Sequence, residues 1–244
     1  MSVASVHLSS AHLSSARAAS GLGDASALSK VSGALRAPRG VEWLPFTVRV
    51  AQGEHDLRRA AELRHAAYSR HLPPELTQGL REPDAVDREP GVAVLLAESK
   101  VDGSLMGTLR VQTNAHRPLV LEQSFTLPSA MAQARCAEVT RLAVARAECS
   151  RFVKTVMLKA AYYWCERAGV RYVLVTARAP LDRQYARLMF QDVNPELGFV
   201  PLPHVFNLPH RIMYCDLVAA CVEGTQHPLY AFWFQTDHPD IDLD

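Results

Sequence analysis

One stretch limits the possible folds of this chain more than any other. It runs Ala137-Glu138-Val139-Thr140-Arg141-Leu142-Ala143-Val144, and a helical run from Arg151 to Ala168 follows it. The first part reads as a β-branched strand carrying one carboxylate and one guanidinium, and a short polar turn separates it from an amphipathic helix ending at Ala168-Gly169. The helix is expected to bury Phe152, Val156, Met157, Ala160, Tyr163 and Trp164 and to turn Lys154, Lys159, Glu166 and Arg167 toward solvent. Charges inside an otherwise apolar strand are costly unless paired or used. Glu138 and Arg141 are therefore either a core ion pair or part of a site, and the strand alone leaves both open.

The neighbouring segments extend this unit. After Gly169 come a Val/Leu/Tyr strand, Arg171 to Ala177, and an expected helix, Leu181 to Phe190. That order implies a right-handed crossover and locally parallel strands. Gly198-Phe199-Val200 and Arg211 to Val218 read as closing strands, and the Asp-rich tail after them is expected to fray.

Upstream, Phe46 to Val50 alternates like a strand. Asp56 to His71 then places Leu57, Ala61, Arg64 and Tyr68 on one helical stripe. Read alone, Arg64 is an edge residue whose stem packs and whose head reaches water. Leu72 to Gly91 is a long Pro-rich loop carrying Asp84 and Asp87; such loops are functional or disordered, and two loop aspartates in isolation are solvated. Val92 to Ala97 and Leu105 to Thr113 flank Asp102-Gly103 as a hairpin. Alternation puts Thr108, Arg110 and Gln112 on its polar side.

At 244 residues with a net charge of +1, the chain suits one large domain or two small ones and has no global field for nucleic acid or an anionic membrane. There is no apolar run long enough for an integral membrane segment. Five cysteines without a C-x-x-C pair fit reduced, buried thiols and a cytoplasmic location. His204 and His210 lack a third partner at metal-ligand spacing, so no metal is expected. The organisation read from the chain is a disordered Ser/Ala-rich leader over 1–42, one domain over 43–235 and an acidic tail over 236–244.

The element order, β, α, loop, β, β, β, α, β, α, β, β, resembles the GNAT acyltransferase fold. Four motifs sharpen the resemblance: Arg64 with Tyr68 on the first helix, Asp84-Ala85-Val86-Asp87 in the loop, Gly107-Thr108-Leu109-Arg110, and Glu138-Val139-Thr140-Arg141. In this order they are similar to the FeeM-like N-acyl amino acid synthases and the related LuxI-type autoinducer synthases. The resemblance implies an α/β (α+β) fold with a central mixed, mostly antiparallel sheet flanked by helices.

It also implies a chemistry. Glu138 would act as base toward the acceptor amine, and Arg141 with Arg110 would hold the acceptor's carboxylate. Arg64, Asp84 and Asp87 would form an ion-pair lid. Residues three apart in a regular strand face opposite ways, so the reading requires a β-bulge between Glu138 and Arg141. The bulge would also splay this strand from Arg171 to Ala177 and open a slot for a pantetheine arm.

Two departures narrow the choice. The turn Ala145-Arg146-Ala147-Glu148-Cys149-Ser150 has no glycine to bring backbone amides onto a diphosphate, and Glu148 would repel one. Val144, Arg146, Arg151 and Lys154 are accordingly expected to receive an acyl carrier protein thioester, with no permanently bound cofactor. Leu72 to Leu80 lacks the aromatic residue expected of autoinducer synthases. An N-acyl amino acid synthase with an amino acid acceptor is thus preferred. A lactone-forming synthase using S-adenosylmethionine and a non-catalytic acyl-carrier or lipid-binding relative remain as alternatives.

Overall fold

Alternating side chains decide the centre of the molecule, where β3 (Val92–Ser99) and β4 (Leu105–Thr113) pair antiparallel across the Asp102-Gly103 turn. Leu109 and Val111 enter the main core, whereas Thr108, Arg110 and Gln112 lie buried on the opposite face. The structure, a computed structural model, describes residues 40–147 and 149–244. The proposed leader therefore lies outside the described residues apart from its last three, Gly40 to Glu42.

β2 (Phe46–Val50) adds to β3, and β5 (Cys136–Val144) adds to β4, both antiparallel. β6 (Tyr172–Ala177) then pairs parallel to β5, and β9 (Leu208–Asp216) antiparallel to β6. The short β7 (Gln191–Asp192) closes that edge, and β8 (Val200–Leu202) pairs with β9 as a separate ribbon. The sheet is thus mixed and mostly antiparallel, as expected.

Helices cover both faces. α1 (Gly53–Tyr68) packs on β4 and β5 over the polar side of the hairpin, and short α2 (Pro74–Thr77) follows it. α4 (Ser150–Arg167), after short α3 (Ser129–Ala132), packs on β3, β4 and β5 over the other face. Close approach there depends on Gly107, since a Cβ at this position would sit 2.9 Å from Val153 and 3.5 Å from Met157. α5 (Leu181–Ala186) stops short of the expected Phe190, because Met189 adopts φ 67° and the Phe190 amide turns back to the Tyr185 carbonyl. α6 (Leu217–Glu223) follows β9, capped by Asp216. Among the described residues no helix is long and apolar enough to cross a membrane.

Three expectations are corrected here. Phe152, expected in the core, is exposed near the start of α4 and meets Phe46 edge-on. The acidic tail is not frayed. β10 (Thr236–Asp237) pairs with β1 (Gly40–Val41), and Asp240 accepts from the Leu44 amide at 2.7 Å and meets Lys100 Nζ at 2.6 Å. Ile241 and Leu243 are buried beside it. Lys159, expected at the surface, is fully buried. The C-terminal segment wraps over α4, so Lys159 Nζ donates to the Phe232 and Thr236 carbonyls and lies 3.0 Å from His238 Nδ1.

Candidate active site

The site grows from an irregularity in β5. Arg110 faces Thr140 across the β4–β5 ladder, but Thr108 faces Ala143, so β5 has one residue in excess between these pairs. Arg141 takes up that excess at φ 56°, a left-handed conformation rare for a long side chain. The bulge turns Arg141 to the side of Arg110. Both guanidiniums reach one oxygen of Asp84, at 3.0 Å from Arg141 and 3.2 Å from Arg110.

Asp84 is held for this purpose by the loop, which is folded into short turns. It caps the 3-10 turn Ala85–Arg88, accepting from the Val86 amide at 3.0 Å, while Asp87 Oδ2 accepts from the Asp84 amide at 3.1 Å. Burial opposes ionisation of Asp84, but the Val86 amide and the Arg110 and Arg141 charges outweigh it and bring its pKa down to about 2. Asp87 Oδ2 also accepts from Arg64 Nη1 at 2.5 Å. Arg64 and Asp87 are buried, which corrects both isolated readings, the solvated Arg64 head and the solvated loop aspartate. Tyr68, half-buried one turn further along α1, points its hydroxyl toward the Leu142 carbonyl at 3.5 Å; burial raises its pKa against the pull of Arg141, Arg64 and Arg110.

Glu138 lies on the same face, opposite Gln112 and beside Leu174 of β6. It is fully buried. Oε2 accepts from the Leu121 amide at 3.0 Å, and Oε1 has no hydrogen-bond partner. Burial pushes its pKa up to about 7, with the Leu121 amide and Arg110 pulling the other way. The β5–β6 ladder ends at the Glu138–Leu174 pair, although β5 continues to Val144 and β6 to Ala177. The two strands therefore enclose a gap, and Glu138 stands at its closed end.

Buried polar atoms without hydrogen-bond partners collect on this face: Arg64 Nε and Nη2, Asp87 Oδ1, Thr108 Oγ1, Arg110 Nη1, Gln112 Oε1 and Glu138 Oε1. Native interiors leave few such groups, and a cluster of them suits a surface that meets a polar ligand, although Arg110 Nη1 and Asp87 Oδ1 also face each other at 3.6 Å. Sequence reading placed Thr108 and Gln112 on this face without giving them a part, and it quoted Thr140 within the Glu138–Arg141 motif without its role, which is to accept from Arg110 Nε through Oγ1 at 3.0 Å. Alternation along β5 would have found it, since Glu138 and Thr140 are two apart.

At the open end of the gap, Arg146 and Arg151 are exposed near the start of α4. Lys154 is half-buried and donates to Gln184 Oε1 at 3.3 Å; burial and Arg151 lower its pKa. Arg70, which sequence reading passed over, donates to the Val144 carbonyl at 3.0 Å and extends this basic rim. Glu148 lies outside the described residues. Behind β5 and β6, on the α4 side, a narrow apolar cavity is lined by Val139, Leu158, Val173, Phe190, Cys215 and Trp233 among others.

Comparison with solved structures finds the same fold in several proteins. FeeM, an N-acyl amino acid synthase from uncultured soil microbes, is 13% identical with a TM-score of 0.58, covering 77% of this chain and 97% of its own. TofI, solved in a ternary complex with an inhibitor and MTA, is 17% identical with a TM-score of 0.53, covering 74% and 97%. A GNAT-family protein of Desulfovibrio desulfuricans is 14% identical with a TM-score of 0.51, covering 70% and 99%. The fold is that of the GNAT acyltransferases. Comparison with curated proteins gives no match. The sequence itself matches the N-acyl amino acid synthase FeeM family over residues 59–230, and the chain belongs to that family and is an acyltransferase.

Proposed function

We propose that this acyltransferase moves a long-chain acyl group from an acyl carrier protein thioester to the α-amine of an amino acid, in the cytoplasm. One observation carries the reading: the bulge at Arg141 gathers three guanidiniums against two carboxylates beside a buried carboxyl that titrates near neutrality. Three positive charges less two negative ones leave one in excess. An acceptor's carboxylate would balance that excess, held by Arg110 and Arg141, while Arg64 with Asp87 fixes the loop that carries Asp84.

The acceptor amine is an ammonium at neutral pH. Glu138 Oε1, free of partners, would take its proton directly or through water. The amine then attacks the thioester carbonyl, the C–N bond forms, the C–S bond breaks, and the thiolate leaves and takes up a proton. A pantetheine arm lying in the β5–β6 gap would bring its thioester to Glu138, with the acyl chain directed to the apolar cavity behind the strands. No step calls for a permanently bound cofactor.

The glycine-free turn before α4 and the basic rim of Arg70, Arg146, Arg151 and Lys154 favour a donor with a single phosphate on an acidic protein over one with a diphosphate. Incubation with long-chain acyl carrier protein and a mixture of amino acids, read by mass spectrometry, tests the reading. An N-acyl amino acid is expected. A product formed only with S-adenosylmethionine would make this a lactone synthase, and no product with any donor would make it a binding protein.

A further inference from the structure

The β8–β9 hairpin carries a 3-10 turn, Pro203–Val205, that folds onto the segment before α3. There the His204 amide donates to Ser124 Oγ at 3.4 Å, and His204 Nδ1 lies 2.9 Å from the same oxygen. The segment also supplies the Leu121 amide that holds Glu138. Leu121, Leu202 and Leu174 share one buried cluster, so imidazole and carboxyl are tied to the same short stretch of chain. His204 is close enough to Arg141 on β5 and His210 on β9 to sense the charge of both. Leu174 of that cluster pairs with Glu138 where the β5–β6 ladder ends, so the turn that carries His204 lies on the Glu138 face of the sheet.

Ser124 can set the tautomer. Its oxygen accepts the His204 amide proton, which leaves its single hydroxyl proton to be given to Nδ1. The ring proton is then on Nε2, which is buried and has no hydrogen-bond partner. Burial, His210 and Arg141 all lower the pKa of His204, which keeps the ring neutral. A neutral imidazole N–H can stabilise a developing negative charge without giving up its proton.

We infer that His204 is a further catalytic residue, whose Nε2–H donates to the thioester carbonyl oxygen and to the oxyanion it becomes. This rests on the acyl transfer proposed above. As the C–N bond forms, the carbonyl π pair moves onto oxygen beneath that donor; as the C–S bond breaks, the pair returns. His204 gains and loses no proton, and Ser124 is a positioning residue that acts through it.

The test compares the wild type with His204→Phe, His204→Gln and Ser124→Ala, using acyl carrier protein thioester and amino acid. His204→Phe is expected to lower kcat about 100- to 1000-fold with both KM values within about threefold. His204→Gln, which keeps an N–H donor, should run at least about tenfold faster than His204→Phe, with Ser124→Ala between wild type and His204→Phe. In the wild type, nitrogen-15 NMR should show the proton on Nε2, and its resonance should move downfield on binding a donor analogue with a CH2 group in place of the thioester sulfur. A kcat for His204→Phe within about threefold of wild type, a loss carried by the acceptor's KM, or an Nε2 signal unmoved by the analogue overturns the inference while leaving acyl transfer standing. A wild type that transfers no acyl group overturns both.

Discussion

Arg64 and Asp87 form an ion pair at 2.5 Å, with neither side chain more than 2% exposed, although 23 positions separate them in the chain. Asp87→Ala would leave a buried guanidinium without its counter-charge. Stability should fall by about 3–5 kcal/mol, read from urea unfolding. Replacing both residues with Met and Leu should be milder than Asp87→Ala alone, because no uncompensated charge is left behind.

Arg110 and Arg141 converge on Asp84 from neighbouring strands. If they hold the acceptor's carboxylate, Arg110→Ala and Arg141→Ala should each raise the acceptor's KM roughly 10- to 100-fold and the donor's KM by less than about threefold. Steady-state kinetics with each substrate varied in turn checks this. Equal effects on both substrates would assign the pair to the fold alone.

Burial raises the pKa of Glu138 from 4.5 to about 7. The folded protein therefore binds this proton more tightly than the unfolded chain. The stability that the protonated group contributes is fully present below about pH 4.5 and is lost as pH rises through about 7. Glu138→Gln removes the dependence. The variant should become more stable than the wild type above neutrality, by a few kcal/mol, and the gap should close toward pH 4. Urea unfolding at stepped pH measures it.

The basic rim predicts a salt effect. Glutamate at Arg146, Arg151 and Lys154 together should reduce kcat/KM with the acyl carrier protein about 10- to 100-fold while changing use of a soluble pantetheine thioester less than about threefold. Wild-type kcat/KM with the carrier protein should fall as salt rises, because exposed charges are screened. Equal activity of the triple variant with both donors would remove the rim from donor recognition.

What could be read from the sequence followed local spacing. Alternation in β4 gave the face of Arg110, and the three-residue step from Glu138 to Arg141 demanded a bulge, which β5 contains. What could not be read depended on distant chain. The helical stripe sent Lys159 to the surface, but its partners lie 73 to 79 positions away in the C-terminal segment. Asp240 looked like part of a solvated tail until Leu44 and Lys100 met it. His204 carried no local signal, since Ser124 joins it across 80 positions.

Glu138 stands where β5 and β6 part, with one carboxyl oxygen held and the other free, and its turnover test is the most direct. Single-turnover transfer by Glu138→Gln, with donor and acceptor saturating, should be slower than wild type by about two to four orders of magnitude. The wild-type rate should rise with pH and level off above about 7, as the base ionises. A variant that transfers the acyl group at the wild-type rate would contradict this and leave Glu138 as a buried structural acid.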